Sequence, residues 1–254
     1  MIFDTHAHYD DDAFDEDRDV LLSGMREQNV EYIVNVGASM ASSERSIKLA
    51  EKYPFVYAAV GVHPDEVGEL DEEKFTKLRE WTAHEKVKAV GEIGLDYYWD
   101  KEKHDLQKHW FMRQMELASE VKLPMIVHSR EAAKDTLDMV IAAKPLNLSG
   151  IIHCYSYSVE QAREYLNMGY YIGIGGVVTF KNAKKLKEVA EYTPLSQIVL
   201  ETDCPYLAPT PFRGKRNDSS KIAYVAEELA AIKQVSVEEV IRITNENGRR
   251  LYNI

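Results

Sequence analysis

The sequence predicts a single (β/α)8 barrel of the TIM type, an α/β fold, occupying residues 1–254 as one domain. Two regularities and one size argument lead there. Eight short apolar runs alternate with stretches of helical spacing, with no low-complexity linker between them. Histidine or carboxylate residues close six of those runs, at the strand end where barrel enzymes build their active sites. A chain of 254 residues with 45% apolar content is long for an average domain and ordinary for such a barrel. An open doubly wound sheet is the competing architecture, but its usual glycine-rich phosphate loop after the first strand is replaced here by histidines.

Taken in order, Met1-Ile2-Phe3 opens a short buried strand that ends in Asp4-Thr5-His6-Ala7-His8. Alternation sends His6 and His8 to one face, where two imidazoles can grip one divalent ion from a rigid base. A pair of unconnected surface histidines is the bland alternative. Residues 15–28 have helical spacing, with Val20, Leu21 and Met25 on one side. Residues 31–37 form a second strand, and 42–53 a helix with Ser42 or Ser43 as N-cap. The third strand, 55–62, delivers His63-Pro64; a helix from Asp71 or Glu72 to His84 follows, then a fourth strand, 87–93, carrying Glu92. A long helix, 103–121, leads to a fifth strand, 124–128, ending in His128. After a helix over 131–143, the strand 150–153 ends in His153. A helix at 159–168, a strand at 170–174 and a helix at 183–192 precede the eighth strand, 197–203, which ends in Asp203. Helices over 219–233 and 236–247 finish the chain, the first completing the eighth unit.

Composition narrows the function. No run of about 18 apolar residues occurs, so no membrane span is expected. Asp4, Asp10, Asp11 and Asp12 stand where a signal peptide needs basic and apolar regions. Two cysteines, Cys154 and Cys204, make no disulfide framework and fit a reducing, cytoplasmic setting. A net charge of −11 argues against avid non-specific binding to nucleic acid. A nucleic-acid substrate stays open, because bound cations supply positive charge locally. No obligate protein partner is evident.

Five of the eight histidines, His6, His8, His63, His128 and His153, terminate strands, with Glu92 and Asp203 among them. His84, His104 and His109 fall on helices beside charged neighbours and read as solvated surface residues. Each strand-end residue alone reads as a satisfied rim residue; seven together point to a metal site. Four histidines with carboxylates suit Zn²⁺, Mn²⁺, Co²⁺ or Fe²⁺, whereas Mg²⁺ prefers oxygen ligands. Six candidate ligands exceed what one open ion uses. Two ions about 3.5–4 Å apart with a bridging carboxylate are expected, and Glu92 is the best bridge. Cys154 and Cys204 each follow a strand-end residue and so turn away as wall residues. Glu201 shares the inward face of Asp203, as support for a ligand or a substrate contact. Arg130 could reach an anionic substrate or pair with Glu131 or Asp135. The basic loop 211–217, with Arg213, Lys215 and Arg216, reads as phosphate-binding. Asp10 to Asp12 read as a helix entry or solvated loop.

Six motifs carry a family resemblance: Asp4-Thr5-His6-Ala7-His8, Gly61-Val62-His63-Pro64, the stretch 91–97 with Glu92, His128-Ser129-Arg130, His153-Cys154, and the stretch 200–206 with Asp203. In residue type, order and spacing the chain resembles the TatD-type metal-dependent hydrolases, a branch of the amidohydrolase-like barrels, over essentially its whole length. The resemblance implies a two-metal nuclease, a magnesium-stimulated deoxyribonuclease with 3′→5′ exonuclease action. It implies one ion held by His6, His8 and Asp203, a second by His128 and His153, and Glu92 as bridge. His63 would be a catalytic or phosphate-contacting residue. Magnesium sits uneasily with four histidines, so the ion (Mg, Mn, Zn, Co or Fe) stays open. The chain departs from the family pattern at Tyr155-Ser156-Tyr157 and at Asp218-Ser219-Ser220, both where substrate would be held.

The leading expectation is therefore phosphodiester hydrolysis on DNA, with Asp203 or Glu201 taking the proton of the attacking water. His63 would hydrogen-bond a phosphate oxygen or protonate the leaving group. The alternative keeps barrel and metals but cleaves an ester, lactone or amide, including an aminoacyl-tRNA ester. Barrels of that kind often carry a modified lysine on strand four, where Glu92 stands here. A third expectation is a non-catalytic nucleic-acid or protein-binding module with a structural metal, whose site would be closed by protein ligands.

Overall fold

The computed structural model describes residues 1–99 and 102–254. Eight strands pair in parallel in sequence order: β1 (Ile2–Ala7), β2 (Val30–Val36), β3 (Val56–Val60), β4 (Val87–Asp96), β5 (Met125–Arg130), β6 (Gly150–Ile152), β7 (Tyr171–Ile174) and β8 (Ile198–Leu200). The ring closes where Ala7 bridges Cys204, with Asp203 N–H donating to the His6 carbonyl and His8 N–H to the Cys204 carbonyl. The predicted (β/α)8 barrel is thus the fold. No helix among the described residues is long and apolar enough to cross a membrane.

Between the strands run α1 (Arg18–Gly24), α2 (Met40–Lys52), α3 (Glu72–Trp81), α4 (His104–Val121), α5 (Ala133–Ala142), α6 (Val159–Asn167) and α7 (Lys184–Tyr192), followed by α8 (Ile222–Lys233) and α9 (Val237–Tyr252). Strands covered on both faces explain the near-continuous apolar runs in the sequence. A smaller apolar cluster joins Phe3, Val34, Ala59, Ala89, Ile126, Ile151 and Val199 with Leu251 and Tyr252. Residues from strands all round the ring can meet only across the barrel axis, so this cluster fills the interior and α9 seals one end. A larger cluster packs the helices against the outside of the strands.

Several boundaries differ from the periodicity, the last helix among them, since α9 runs on to Tyr252. The first helix spans Arg18–Gly24, after a 3-10 turn at Asp12–Phe14, and Val20 is 76% exposed. Phe14, Leu22 and Met25 make the buried contacts instead, and Asn29, at φ +64°, turns the chain into β2. Ser39, not Ser42 or Ser43, caps α2 by accepting from Ser42 N–H. Those two serines are buried and spent elsewhere, Ser42 on Asp10 and Ser43 on the Gly61 carbonyl. β4 runs on to Asp96, pairing with Arg130 of a β5 that outlasts its predicted end. β8 stops at Leu200, so Asp203 lies beyond it, at φ +56°.

Candidate metal centre

The ring closure that follows β8 also assembles the site. Asp4, fully buried two residues before His6, accepts from Thr202 N–H at 3.0 Å, Thr202 Oγ1 at 2.7 Å and Ser219 Oγ at 2.6 Å. This stitches the segment after β8 to β1 and brings Asp203 beside the two histidines. His6 and His8 meet Nε2 to Nε2 at 3.0 Å, and Asp203 Oδ1 lies 3.7 and 3.3 Å from those nitrogens. The His8 Nδ1–H donates to the Val36 carbonyl, which fixes its tautomer and aims Nε2 inward.

Glu92 stands at the centre. Its Oε2 faces His6 at 3.4 Å and His8 at 3.8 Å, while its Oε1 faces His128 Nδ1 at 2.8 Å and His153 Nε2 at 3.1 Å. All six expected ligands therefore converge, in two groups that share one carboxylate. Two imidazole nitrogens pointing at each other across 3.0 Å can share at most a proton, an arrangement suited to joint donation to a cation. Among the described residues, His6 Nδ1, His153 Nδ1 and Glu201 Oε2 are buried without a hydrogen-bond partner. The donor set fits divalent ions of the zinc and manganese type.

Electrostatics follow the same map. Burial by itself raises the Glu92 carboxyl, but His153, His128 and His6 outweigh it and hold Glu92 well below the carboxylate range. Burial lowers His8, yet Asp203 and Glu92 bring it up to about 9. His153 is raised well above the imidazole range, because Glu92 and Glu201 overcome its burial. His63 goes the other way, down to about 3, through burial and the neighbouring His128. Its Nδ1 accepts from Asp65 N–H at 3.2 Å, and its Nε2 is 3.9 Å from Glu92 Oε1.

The remaining expected residues divide. Glu201 lies behind His153, with Oε1 3.4 Å from His153 Nδ1 and accepting from Cys154 N–H. Its carboxylate fits only because residue 173 is glycine: a Cβ there would stand 2.5 Å from Glu201 Oε2. Arg130 pairs with neither Glu131 nor Asp135; its guanidinium lies 4.0 Å from the Tyr98 ring centroid, and Asp135 is held by Lys108 and Tyr97. The basic loop does not reach the cluster. Arg216 is bidentate to Asp17, at 2.9 and 2.5 Å, and Arg213 stacks over Phe180 at 4.4 Å, leaving Lys215 as an exposed cation. Asp10 is not solvated: it is 5% exposed and accepts from Asn35, Ser42 and Arg45. His104 is half-buried, stacked on Tyr97 at 3.6 Å. Cys204 is buried and Cys154 forms part of the wall, its thiol pushed up to about 12 by burial.

Three residues without a predicted role belong here. Asp96 Oδ2 accepts from His128 Nε2–H at 3.0 Å, which leaves Nδ1 turned to Glu92. It lies four residues after Glu92 on one strand, so alternation places both on the same face. Asp4 carries the same signal, two residues before His6. Arg45, on α2, has no such signal; the fold alone brings it to the cavity. That cavity, about 660 Å³, opens over the cluster, and Arg45 and Arg130 are its wall cations among the described residues.

A parallel barrel with a converging His–carboxylate cluster under an open cavity is that of a metal-dependent hydrolase. The model of the TatD-related DNase family matches residues 3–253, and the chain belongs to this family. It is 45% identical to the uncharacterized metal-dependent hydrolase YabD of Bacillus subtilis, over all of both chains. Identity to the uncharacterized metal-dependent hydrolase YcfH of Escherichia coli K12 is 35%, over 100% of this chain and 96% of that one. The crystal structure of YjjV, a TatD homologue from Escherichia coli K12, superposes with a TM-score of 0.93 at 30% identity, covering 100% of this chain and 98% of that one.

Proposed function

We infer that the chain hydrolyses phosphodiester bonds at DNA ends, as a 3′→5′ deoxyribonuclease using two divalent ions. The observation that carries this is Glu92, whose two oxygens each face a different ligand group beneath a cavity walled by Arg45 and Arg130. His6, His8 and Asp203 would hold one ion, His128 and His153 the other, with Glu92 between. Ions bound there supply a water of lowered pKa and positive charge for the phosphoryl oxygens. Asp203, its side chain 19% exposed at the cavity floor, would take the proton of the attacking water. Glu201, walled off behind His153, orients that imidazole instead. His63 keeps its proton on Nε2 and donates it as a hydrogen bond to a phosphate oxygen; a group lowered to about 3 is a poor proton source near neutral pH. Arg45 and Arg130 hold flanking phosphates. An opening onto a large cavity favours chemistry over a closed structural site.

End-labelled single- and double-stranded DNA, RNA and charged tRNA, incubated with several ions, test the reading. Shortening of DNA from its 3′ end, abolished by chelator, is the expected result. Turnover of charged tRNA with DNA untouched would move the function to ester hydrolysis. Equal background from wild type and His63→Ala on every substrate would leave a binding module.

A further inference from the structure

Trp99 is 66% exposed and forms part of the same cavity wall as the cluster, with the 42%-exposed Tyr98 beside it. The two rings meet edge to face at 4.7 Å, and the Arg130 guanidinium lies 4.0 Å from the Tyr98 centroid and 5.3 Å from that of Trp99. This assembly is held to the catalytic floor by one carboxylate. Asp96 Oδ1 accepts from Tyr98 N–H at 2.8 Å and from Trp99 N–H at 3.0 Å, while Oδ2 accepts from His128. The ledge and the candidate ligand His128 are thus fixed relative to each other. Across the barrel mouth, on the segment after β8, Tyr206 is 55% exposed and its hydroxyl is tied to Asp11.

We propose that Trp99, backed by Tyr98 and Arg130, is a stacking ledge for an unpaired nucleobase of the strand whose phosphate is cleaved; this rests on the nuclease reading. An exposed indole face matches the flat π-face of any base, and a guanidinium beside it suits the adjoining phosphate. Stacking of this kind is indifferent to which base is presented.

Fluorescence anisotropy of labelled strands with the metal-loaded full chain tests this, the terminal linkage being a phosphorothioate to slow hydrolysis. The strands are a normal single strand and one with an abasic terminal residue. Trp99→Ala should weaken binding of the normal strand about 10- to 100-fold, and Trp99→Phe should stay within about threefold of wild type. The abasic strand should bind both variants as it binds wild type, an outcome that a purely structural role for Trp99 would not give. Equal affinity of wild type and Trp99→Ala for the normal strand overturns the ledge. If that same strand without phosphorothioate is still shortened, the nuclease reading survives the loss; if no DNA is shortened, both fall.

Discussion

Two contacts bear on the role proposed for His63. With Nδ1 occupied by the Asp65 N–H and its pKa down at about 3 through burial and His128, it would serve as a neutral Nε2–H donor near neutral pH. His63→Ala should therefore keep its metal and lose about 10²- to 10³-fold in kcat, the range for one oriented donor. His6→Ala and His128→Ala should lose metal and regain part of their activity at high metal concentration. Metal analysis and kcat on the same preparations decide; loss of metal from His63→Ala would make it a ligand. Asp96 acts through His128, so Asp96→Ala should weaken metal affinity about 10- to 100-fold. Unchanged affinity in a chelator-competition titration would remove it from the site. His8 carries a pH signature. In the metal-free protein, burial lowers its pKa but Asp203 and Glu92 raise it to about 9, whereas a cation needs the neutral ring. Loading near neutral pH must release that proton, and affinity should climb as pH rises toward about 9. Calorimetry in buffers of different ionisation enthalpy reads the proton directly; no buffer dependence would contradict the assignment.

At the scale of elements, the apolar runs are legible because parallel barrel strands are buried on both faces, and alternation then assigns the inward residues. That is enough for His6, His8, Glu92, His128 and His153. It misplaces the end of β8, since an extended segment held by side chains looks like a strand: Thr202 is tied to Asp4, not to a ladder. Ser42 and Ser43 carry the composition of an N-cap but are used in the core, a choice only tertiary contacts make. The basic loop 211–217 shows the same limit, because charge clustering says nothing of the partner. Arg216 is latched to Asp17, both about one-third exposed, so their coupling in a double-mutant cycle should be small and fade with salt. Substrate effects should come from Arg213 and Lys215. Replacing both with alanine should raise KM for oligonucleotides and flatten its salt dependence, leaving a small phosphodiester unaffected. Equal loss on both substrates would mean that the loop supports the fold.

At the scale of the molecule, closing the barrel and building the site are one event. Strands β1 and β8 lie opposite β4 and β5 in an eight-membered ring, so Asp203 and the first two histidines approach Glu92 and His128 only when the ring shuts. The interior below is filled by apolar side chains and sealed by α9, which leaves the cluster facing the open cavity alone. An overall charge of −11 repels polyanions from most of the surface, so on the proposed nuclease reading bound cations together with Arg45 and Arg130 would draw DNA to this mouth. All of this turns on Glu92 joining two ion sites. The most direct measurement is the number of metal equivalents per folded chain in wild type and in Glu92→Gln, by elemental analysis after dialysis against a fixed free-ion concentration. Wild type should carry two equivalents and Glu92→Gln markedly fewer, with hydrolysis lost alongside. Two retained equivalents in Glu92→Gln, or none in an active wild type, would contradict it.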